Sequence, residues 1–366
     1  MTRRAAAAAA TSLMLAARVA GAEILDVSHR PEGFDPRSGK SVAVRFRLSE
    51  PAGVTLSIFD ARDLVIRTVA SSGSLSTGDH QIEWDGRDER GELVPPEAYT
   101  YALEARGANG KVWQWDVAAF GGSPVDVTDL VWDAAAGEVR YRLPNPARIR
   151  IRLGLENGGP LLRTLIDWVP RMRGNHAEPW DGRDASGVLA LAHHPTLVLD
   201  GRAFELPQNT IFVNPPAAES RFIANLPRDA KRRAQPPAPA HRMFDYALQA
   251  AEQRGDFPIT LSLPKDLRRT ADGVPIVHEA VPVRLEASGS ALARASDERS
   301  ETVFFVDGDF VFERETGFLP MTWTWDPKGH APGLHHLTAN VRGYEGHFGL
   351  GTTLVWVEAT ASPAKP

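Results

Sequence analysis

The chain contains no cysteine among its 366 residues. This absence excludes disulfides, a lipid anchor on an N-terminal cysteine, haem attached through thioether bonds, and a thiol nucleophile. Export to an oxidising compartment would therefore bring no covalent stabilisation. We expect a protein that folds on its hydrophobic cores alone, since a chain of this length can bury cores of sufficient size.

Long apolar runs are also missing after residue 22, so no later segment approaches the roughly 20 apolar residues of a membrane-spanning helix. Residues 1–22 have the features of a secretory signal peptide: two early arginines, an Ala/Leu/Met run and a small-residue cleavage site. Cleavage there removes three arginines and no acid, which moves the formal net charge from −5 to −8. We expect a soluble periplasmic or extracellular protein without a membrane span, a lipid anchor or affinity for nucleic acid.

Signatures of catalysis are missing as well. The sequence has no G-x-S-x-G, no H-E-x-x-H and no Gly-rich dinucleotide fingerprint. The segment GFDPRSGKS at 33–41 resembles a phosphate-binding loop, but five residues separate its glycines where the motif needs four. An alternating strand follows it instead of a helix. We predict a protein that is not an enzyme and has no cofactor and no metal.

What the chain does contain is an internal repeat of about 95 residues. Residues 42–69 and 138–166 both open with an alternating run, VAVRFRL and EVRYRL, and both end in an apolar segment with an R-T pair. Alternation of apolar and polar residues is typical of strands with one buried and one wet face. A repeat of this size, built from such strands, predicts small β-sandwiches.

The same patterns divide the chain into modules. We expect sandwiches at 23–120, 121–213 and 257–359, a Pro/Ala/Arg-rich linker with a short helix at 214–256, and a C-terminal tail at 360–366. In the third module, ETVFFVDGDFVFERET predicts a hairpin with a type I′ turn at Asp307-Gly308. Trp325 stands where Trp84 stands in the first module.

The string WDGRDERG at 84–91 returns as WDGRDASG at 180–187 and resembles a metal loop. A calcium loop needs acids at alternate positions and another acid at position twelve, whereas these aspartates are three apart and the twelfth position is Pro96. A buried indole, an aspartate that bonds backbone N–H groups and two glycines favour a structural turn, with cation occupancy left open. The turn residues are Trp84, Asp85, Gly86, Asp88, Gly91, Trp180, Asp181, Gly182, Asp184 and Gly187.

Residues 36–105 keep a fixed order of motifs: an I-x-D strand, V-x-R-T, W-D-G-x-D-x-x-G, then a Pro-rich turn into Y-x-Y. This order resembles the immunoglobulin-like module of the flagellar hook-capping protein family, which also occurs as an accessory domain of secreted bacterial proteins. The resemblance implies an all-β fold of tandem immunoglobulin-like sandwiches. It does not imply hook capping, because the family's assembly region has no counterpart. Glu97 stands where the family usually places glycine.

Aromatic and histidine residues are the remaining candidates for binding. Trp113 and Trp115 share a strand face, and such a pair either stacks on a sugar or belongs to the core, whereas the pair at 323–325 is more typical of core. The late histidines include two neighbours, His335 and His336, which face opposite sides of a predicted strand. That arrangement favours one packed and one solvated ring over a metal site.

These observations predict a non-catalytic secreted envelope protein that acts as a structural adaptor, spacer or assembly factor and binds envelope or extracellular protein partners. Addition of a partner strand to a sandwich edge is one mode of binding, and the basic stretch at 228–233 could add an electrostatic contact. Two alternatives stay open. One is a carbohydrate-binding protein that uses Trp113 and Trp115, and the other is an accessory subunit of a larger extracellular enzyme or redox complex.

Overall fold

The computed structural model describes residues 22–117, 123–213, 256–288, 299–343 and 348–359. These residues form β-strands and one short 3-10 helix, Pro36–Ser38, so the all-β prediction is confirmed. None of the helical structure in these ranges is long and apolar enough to cross a membrane. The expected signal peptide (up to residue 21), the linker and short helix (214–255) and the tail (360–366) lie outside the described residues.

Twenty-four strands are numbered in chain order. The first group is β1 (Ile24–Arg30), β2 (Gly33–Phe34), β3 (Val42–Leu48), β4 (Ala52–Phe59), β5 (Val65–Leu75), β6 (Gly78–Trp84), β7 (Glu97–Gly107) and β8 (Val112–Trp115). The second group is β9 (Pro124–Val125), β10 (Thr128–Asp133), β11 (Glu138–Leu143), β12 (Ala147–Leu155), β13 (Leu161–Arg171), β14 (Gly174–Pro179), β15 (Leu197–Glu205) and β16 (Thr210–Val213). The third group is β17 (Phe257–Ser262), β18 (Ile276–Val277), β19 (Val281–Ala287), β20 (Ser300–Val306), β21 (Asp309–Gly317), β22 (Met321–Trp325), β23 (Gly333–Gly343) and β24 (Phe348–Val357).

Each module is a sandwich of a smaller and a larger layer. The first sandwich packs β1-β3-β6 against β2-β16-β7-β4-β5, with β8 paired to β7. The second packs β10-β11-β14 against β13-β12-β15-β9. In the third, one sheet runs β21-β20-β23-β24-β17-β19-β22, because β17 pairs with β24 at its start and with β19 further on. The strand therefore links the two layers.

The cores follow the alternation in the sequence. In β3 the residues Val42, Val44, Phe46 and Leu48 are at most 2% exposed, while the arginines between them face solvent. Removing four such side chains from water supplies about 2 kcal/mol each. The corresponding strand of the second module, β11, buries the alternate residues of EVRYRL in the same way.

Residues 210–213 depart from the predicted module boundary. The sequence pattern assigns them to the end of the second module, but β16 pairs antiparallel with β7 and parallel with β2, both of the first sandwich. Ile211 and Val213 lie in the first module's core, and the side-chain amide of Asn209 donates to the carbonyl of Tyr101. The chain thus returns to the first module, so the end of the second sandwich does not coincide with residue 213.

The third module keeps the strand register of the first. Trp325 pairs with Val281 at the start of β19, just as Trp84 pairs with Val42 at the start of β3. The predicted hairpin is present: Asp307 and its neighbouring glycine join β20 to β21 with φ values of 52° and 94°, as a type I′ turn requires. Trp325 is buried in the core, as its pattern predicts.

Candidate functional site: the Trp-Asp turns and the module junctions

The first turn begins with a buried tryptophan whose polar atom is satisfied locally. Trp84 is 1% exposed, and its Nε1 donates to the carbonyl oxygen of Arg87 at 2.9 Å. The backbone N–H of Arg87 in turn donates to Oδ1 of Asp85 at 3.1 Å. The second module repeats the contact, since Nε1 of Trp180 donates to the carbonyl of Arg183 at 2.8 Å. The turn therefore meets the one hydrogen-bonding need of a core indole.

The second aspartate of each string is buried and engaged by the main chain. Oδ1 of Asp88 accepts the backbone N–H groups of Arg90 and Glu92, both at 2.9 Å. In the second module, Oδ1 of Asp184 accepts the N–H groups of Val188 at 2.7 Å and of the residue after it at 2.8 Å. Carboxylates that accept main-chain donors in this way hold the five residues of the turn in one conformation.

These turns also cover a sheet edge. β5 and β13 are the edge strands of their larger sheets. The N–H of Glu89 donates to the carbonyl of Ile66 in β5 at 2.9 Å, and the N–H of Ala185 donates to the carbonyl of Leu162 in β13 at 2.8 Å. Arg67, from the R-T pair, adds a side-chain bond to the carbonyl of the turn aspartate. Each turn thus satisfies backbone groups that an open edge would leave unpaired.

The same five-residue turn occurs twice more at places that the sequence analysis missed. Oδ1 of Asp60 accepts the N–H groups of Arg62 and Leu64, and the intervening residue 63 has a φ of 62°. In the third module Oγ1 of Thr270 accepts the N–H of Val274. Their signal is an Asp or Thr three residues before a residue of positive φ. Without the preceding Trp-Asp-Gly, that signal is too short to stand out.

The third module differs at its tryptophan. Trp325 is 2% exposed, yet its Nε1 has no hydrogen-bond partner among the described residues. Asp326 still accepts the N–H of Lys328 at 3.0 Å, but the string continues as Pro-Lys-Gly-His, and His330 packs against the indole at 5.6 Å between ring centroids. Within the described ranges, no backbone donor of this segment reaches β21, the edge strand that corresponds to β5.

His335 and His336 do not separate as the strand pattern predicts. Nδ1 of His335 lies 2.5 Å from Oδ2 of Asp307, and Nδ1 of His336 lies 3.2 Å from Oδ1 of the same carboxylate. Asp307 sits at the tip of the β20–β21 hairpin, beside the part of β23 that continues past that hairpin, and each of its carboxylate oxygens contacts one of the two histidines. Burial lowers the pKa of His335, but its bonds to Asp307 and to the carbonyl of Ala331 outweigh burial and raise that pKa above its ordinary value.

The two tryptophans proposed for ligand stacking have different surroundings. Trp115 stacks on Tyr101, with ring centroids 5.7 Å apart at 26°, and packs against the first core. Trp113 is 42% exposed, and its neighbour Val112 is 46% exposed. The strand β8 therefore presents one indole to solvent and turns the other inward.

The first and second modules are joined by a buried ion pair. Nη1 of Arg148, which is 1% exposed, lies 2.8 Å from Oε1 of Glu97. The same oxygen accepts the N–H of Ala98 at 2.7 Å. Glu97 is the residue that departs from the glycine of the hook-capping pattern, and the departure gives the first module its partner for Arg148. A charge this deeply buried is tolerated because it is paired and hydrogen-bonded.

The second and third modules meet across β13 and β24. The side-chain amide of Asn340 donates to the carbonyl of Leu161 and accepts its N–H, both at 2.7 Å. Ser186, inside the second Trp-Asp turn, accepts the N–H of Thr352 at 2.8 Å. Oγ1 of Thr164 lies 3.0 Å from Oδ1 of Asp256. The turn that closes the second sandwich therefore also contacts the next module.

Comparison with known families supports the first module directly. Residues 35–109 match the family model of the FlgD Ig-like domain. The match spans β3 to β7 with the turns at Asp60 and Asp88, so the resemblance seen in the sequence is confirmed for this segment. Ig-like sandwiches of this kind are typical of adhesion or accessory modules. No curated protein matches the chain in sequence.

Solved structures align with the chain at low similarity. FlgD from P. aeruginosa is 19% identical with a TM-score of 0.21, and the alignment covers 25% of this chain and 66% of that chain. A 1.5-MDa bacterial ice-binding adhesin is 10% identical with a TM-score of 0.19, over 93% of this chain and 98% of that chain. Fibronectin(III)-like modules of Clostridium thermocellum CbhA are 10% identical with a TM-score of 0.19, and the alignment covers 92% of this chain and 99% of that chain. At these values the alignments carry no argument about activity.

Two glycines of the first turn allow a matched test of its packing. Gly86 and Gly91 have φ values of 77° and 78°, but a Cβ on Gly86 would lie 2.5 Å from Cβ of Pro36, whereas a Cβ on Gly91 meets nothing within 4 Å. We expect Gly91→Ala to lower the free energy of unfolding by about 1 kcal/mol through backbone strain. Gly86→Ala should cost about 1–3 kcal/mol more through overpacking. Urea unfolding measures the loss of unfolding free energy in both variants. Equal losses would contradict the close contact between Gly86 and Pro36.

The buried ion pair predicts strong coupling between two modules. Arg148→Met leaves the carboxylate of Glu97 buried without its cation, so it should lower the free energy of unfolding by about 3–5 kcal/mol. Adding Glu97→Gln to that variant should recover a large part of the loss, because the uncompensated charge disappears. A double-mutant cycle from denaturant unfolding gives the coupling energy. A coupling below about 0.5 kcal/mol would refute the ion pair.

Asp256 predicts how pH acts on the second junction. Burial raises the pKa of Asp256 from its ordinary 3.8 to about 6, although Thr164 and Arg152 oppose the shift. The folded state therefore holds the proton more tightly, and stability falls as pH rises from about 4 to about 6. Asp256→Asn should raise the free energy of unfolding by about 2–3 kcal/mol at pH 7 and by much less at pH 4. Unfolding curves at both pH values test this, and an equal gain at both would contradict it.

Proposed function

We propose that this chain is an exported, non-catalytic envelope protein that acts as a structural adaptor, spacer or assembly factor and binds protein partners through its Ig-like modules. The observation that carries the proposal is the way neighbouring sandwiches are fixed to each other. Arg148 and Glu97 form one joint, and Asn340 and Leu161 form the next. Modules held in a set arrangement present several surfaces at fixed spacing, which suits an adaptor and gives no help to catalysis at a single site.

The chemistry of the turns supports the non-catalytic part of the proposal. Asp88 and Asp184 are the most deeply buried acids of the Trp-Asp strings, and both are occupied by main-chain donors. A general acid or base needs a titratable group that reaches a bound substrate. These carboxylates instead close turns, so the feature that first resembles an acidic site serves the fold.

The edge that we propose for a partner strand is β21. In the first two modules a turn donates to the edge strand, but within the described residues β21 receives no such bond. The strand is nine residues long, and Phe310 near its start is 58% exposed. An edge strand of this length offers main-chain donors and acceptors to an extended segment, while exposed side chains give specificity.

A carbohydrate-binding role is the second candidate, because Trp113 keeps its indole in solvent on the edge strand β8. Sugar rings stack on exposed indoles, and one such residue can anchor a glycan weakly. Trp115 is stacked on Tyr101, so it offers less surface for stacking on a sugar than the sequence pattern of Trp113 and Trp115 predicts.

Capture from the native envelope under mild cross-linking tests the adaptor role. The wild-type chain is compared with Phe310→Lys, which places a charge on the β21 edge, and with Phe318→Lys, a similarly exposed phenylalanine just beyond the strand. We expect one or two stoichiometric protein partners with wild type and Phe318→Lys. Phe310→Lys should reduce their recovery at least about tenfold, since lysine on an edge blocks strand addition.

Three results would contradict the proposal. Equal recovery of partners by both lysine variants would exclude β21 as the contact. Retention on cell-wall polysaccharide without a protein partner, lost in Trp113→Ala, would favour sugar binding. Turnover of a substrate by the purified chain would exclude the non-catalytic role.

A further inference from the structure

The hydrogen bonds of His335 require a positive charge at one position. Its Nε2 lies 2.7 Å from the carbonyl oxygen of Ala331, and its Nδ1 lies 2.5 Å from Oδ2 of Asp307. Both neighbours are acceptors, whereas a neutral imidazole carries a single N–H. If Nε2 donates to the carbonyl, the lone pair of Nδ1 faces a carboxylate oxygen. At this distance a second proton must lie between them, and a metal cation can take its place only if the two atoms move apart.

A third ligand stands beside this gap. Asp307, His330 and His335 each place one ligand atom within 4.8 Å of those of the other two. Ligand atoms bound to one zinc ion at about 2.0–2.2 Å are about 3.4 Å apart in a tetrahedron. The His335–Asp307 pair must therefore open from 2.5 Å while His330 approaches, both through side-chain movements of about an ångström. The carboxylate of Asp307 is 40% exposed, which leaves room for that movement and a path for an ion.

The surroundings of the three residues are those of a metal site. The carbonyl of Ala331 fixes the tautomer of His335, as outer-shell acceptors do for metal-bound histidines. Oδ1 of Asp307 is held by the backbone N–H of His336 at 3.0 Å, so Oδ2 is the oxygen left for an ion. The rings of His330 and His335 meet edge to face at 5.6 Å.

The three modules differ at this place in a way that points to a ligand. At the Trp-Asp turn, the first two modules bury Asp88 and Asp184 against main-chain donors. In the third module the corresponding stretch carries His330, and the indole nitrogen of Trp325 is left without a partner among the described residues. The turn here lacks the indole-to-carbonyl hydrogen bond of the other two modules and carries a histidine, a residue type that can bind a metal.

We propose that Asp307, His330 and His335 form a site for a divalent transition-metal ion, best matched by zinc, which fastens the turn after β22 to the tip of the β20–β21 hairpin. Two imidazoles and one carboxylate suit zinc, and solvent completes the fourth position. Calcium and magnesium take sets of oxygen ligands and should not bind here. The ion would fasten this turn to a neighbouring element, as the N–H groups of Glu89 and Ala185 do in the other two modules. The site does not depend on the proposed adaptor function.

The test is calorimetric titration of the full purified chain, stripped with EDTA and free of a polyhistidine tag, with zinc chloride. We expect one saturable equivalent of zinc and a rise in the melting temperature. Calcium chloride should give neither. His335→Gln and Asp307→Asn should each weaken zinc binding at least about tenfold, since even outer-shell partners contribute that much.

Two variants keep the result interpretable. His330→Gln breaks no ion pair of the described residues, so it should remain folded by circular dichroism while it loses zinc affinity. His80→Gln removes a first-module histidine whose Nε2 also bonds a carbonyl, that of Ser76, and should bind zinc like wild type. Absence of saturable binding to wild type, or equal affinity in wild type and His330→Gln, would overturn the proposal.

Discussion

The closure of each sandwich depends on one buried carboxylate. It belongs to Asp88 in the first module and to Asp184 in the second. It accepts N–H groups of its own turn, and that turn presents one carbonyl to the core indole and one N–H to the edge strand. Removing the acceptor would take away two part-buried hydrogen bonds, at about 1 kcal/mol each. The same turn therefore buries the tryptophan, keeps its own shape and covers the edge strand, so a change in one of these contacts affects the other two.

The third module lacks this contact at its tryptophan, and its structure differs there in two respects. Trp325 keeps the strand register of Trp84, so the core position is preserved, but its indole nitrogen is unpaired among the described residues. The edge strand β21 receives no bond from the turn within the described ranges, and His330 takes a place near the indole. Both differences concern the stretch that follows Trp325, and each is tested by its own substitution.

The sequence predicts those parts of the fold that short-range patterns determine. Alternation along β3 and the Asp307-Gly308 turn are local, and both match the structure. The return of residues 210–213 to the first sandwich is not local, because β16 pairs with a strand about 110 residues earlier. The partner of Glu97 is likewise 51 positions away. The contacts of His335 and His336 with Asp307 depend on where the tip of the β20–β21 hairpin lies. The alternation of apolar and polar residues along a strand does not define that position.

The two junctions stabilise the arrangement of modules by different physical means. The first joint pairs Arg148 with Glu97 and adds a shared strand, so its charge is compensated inside the protein. The second relies on neutral bonds of Asn340 and carries Asp256, whose ionisation burial opposes. Above about pH 6 the second joint therefore contains a carboxylate whose charged form is disfavoured by burial and only partly offset by Arg152.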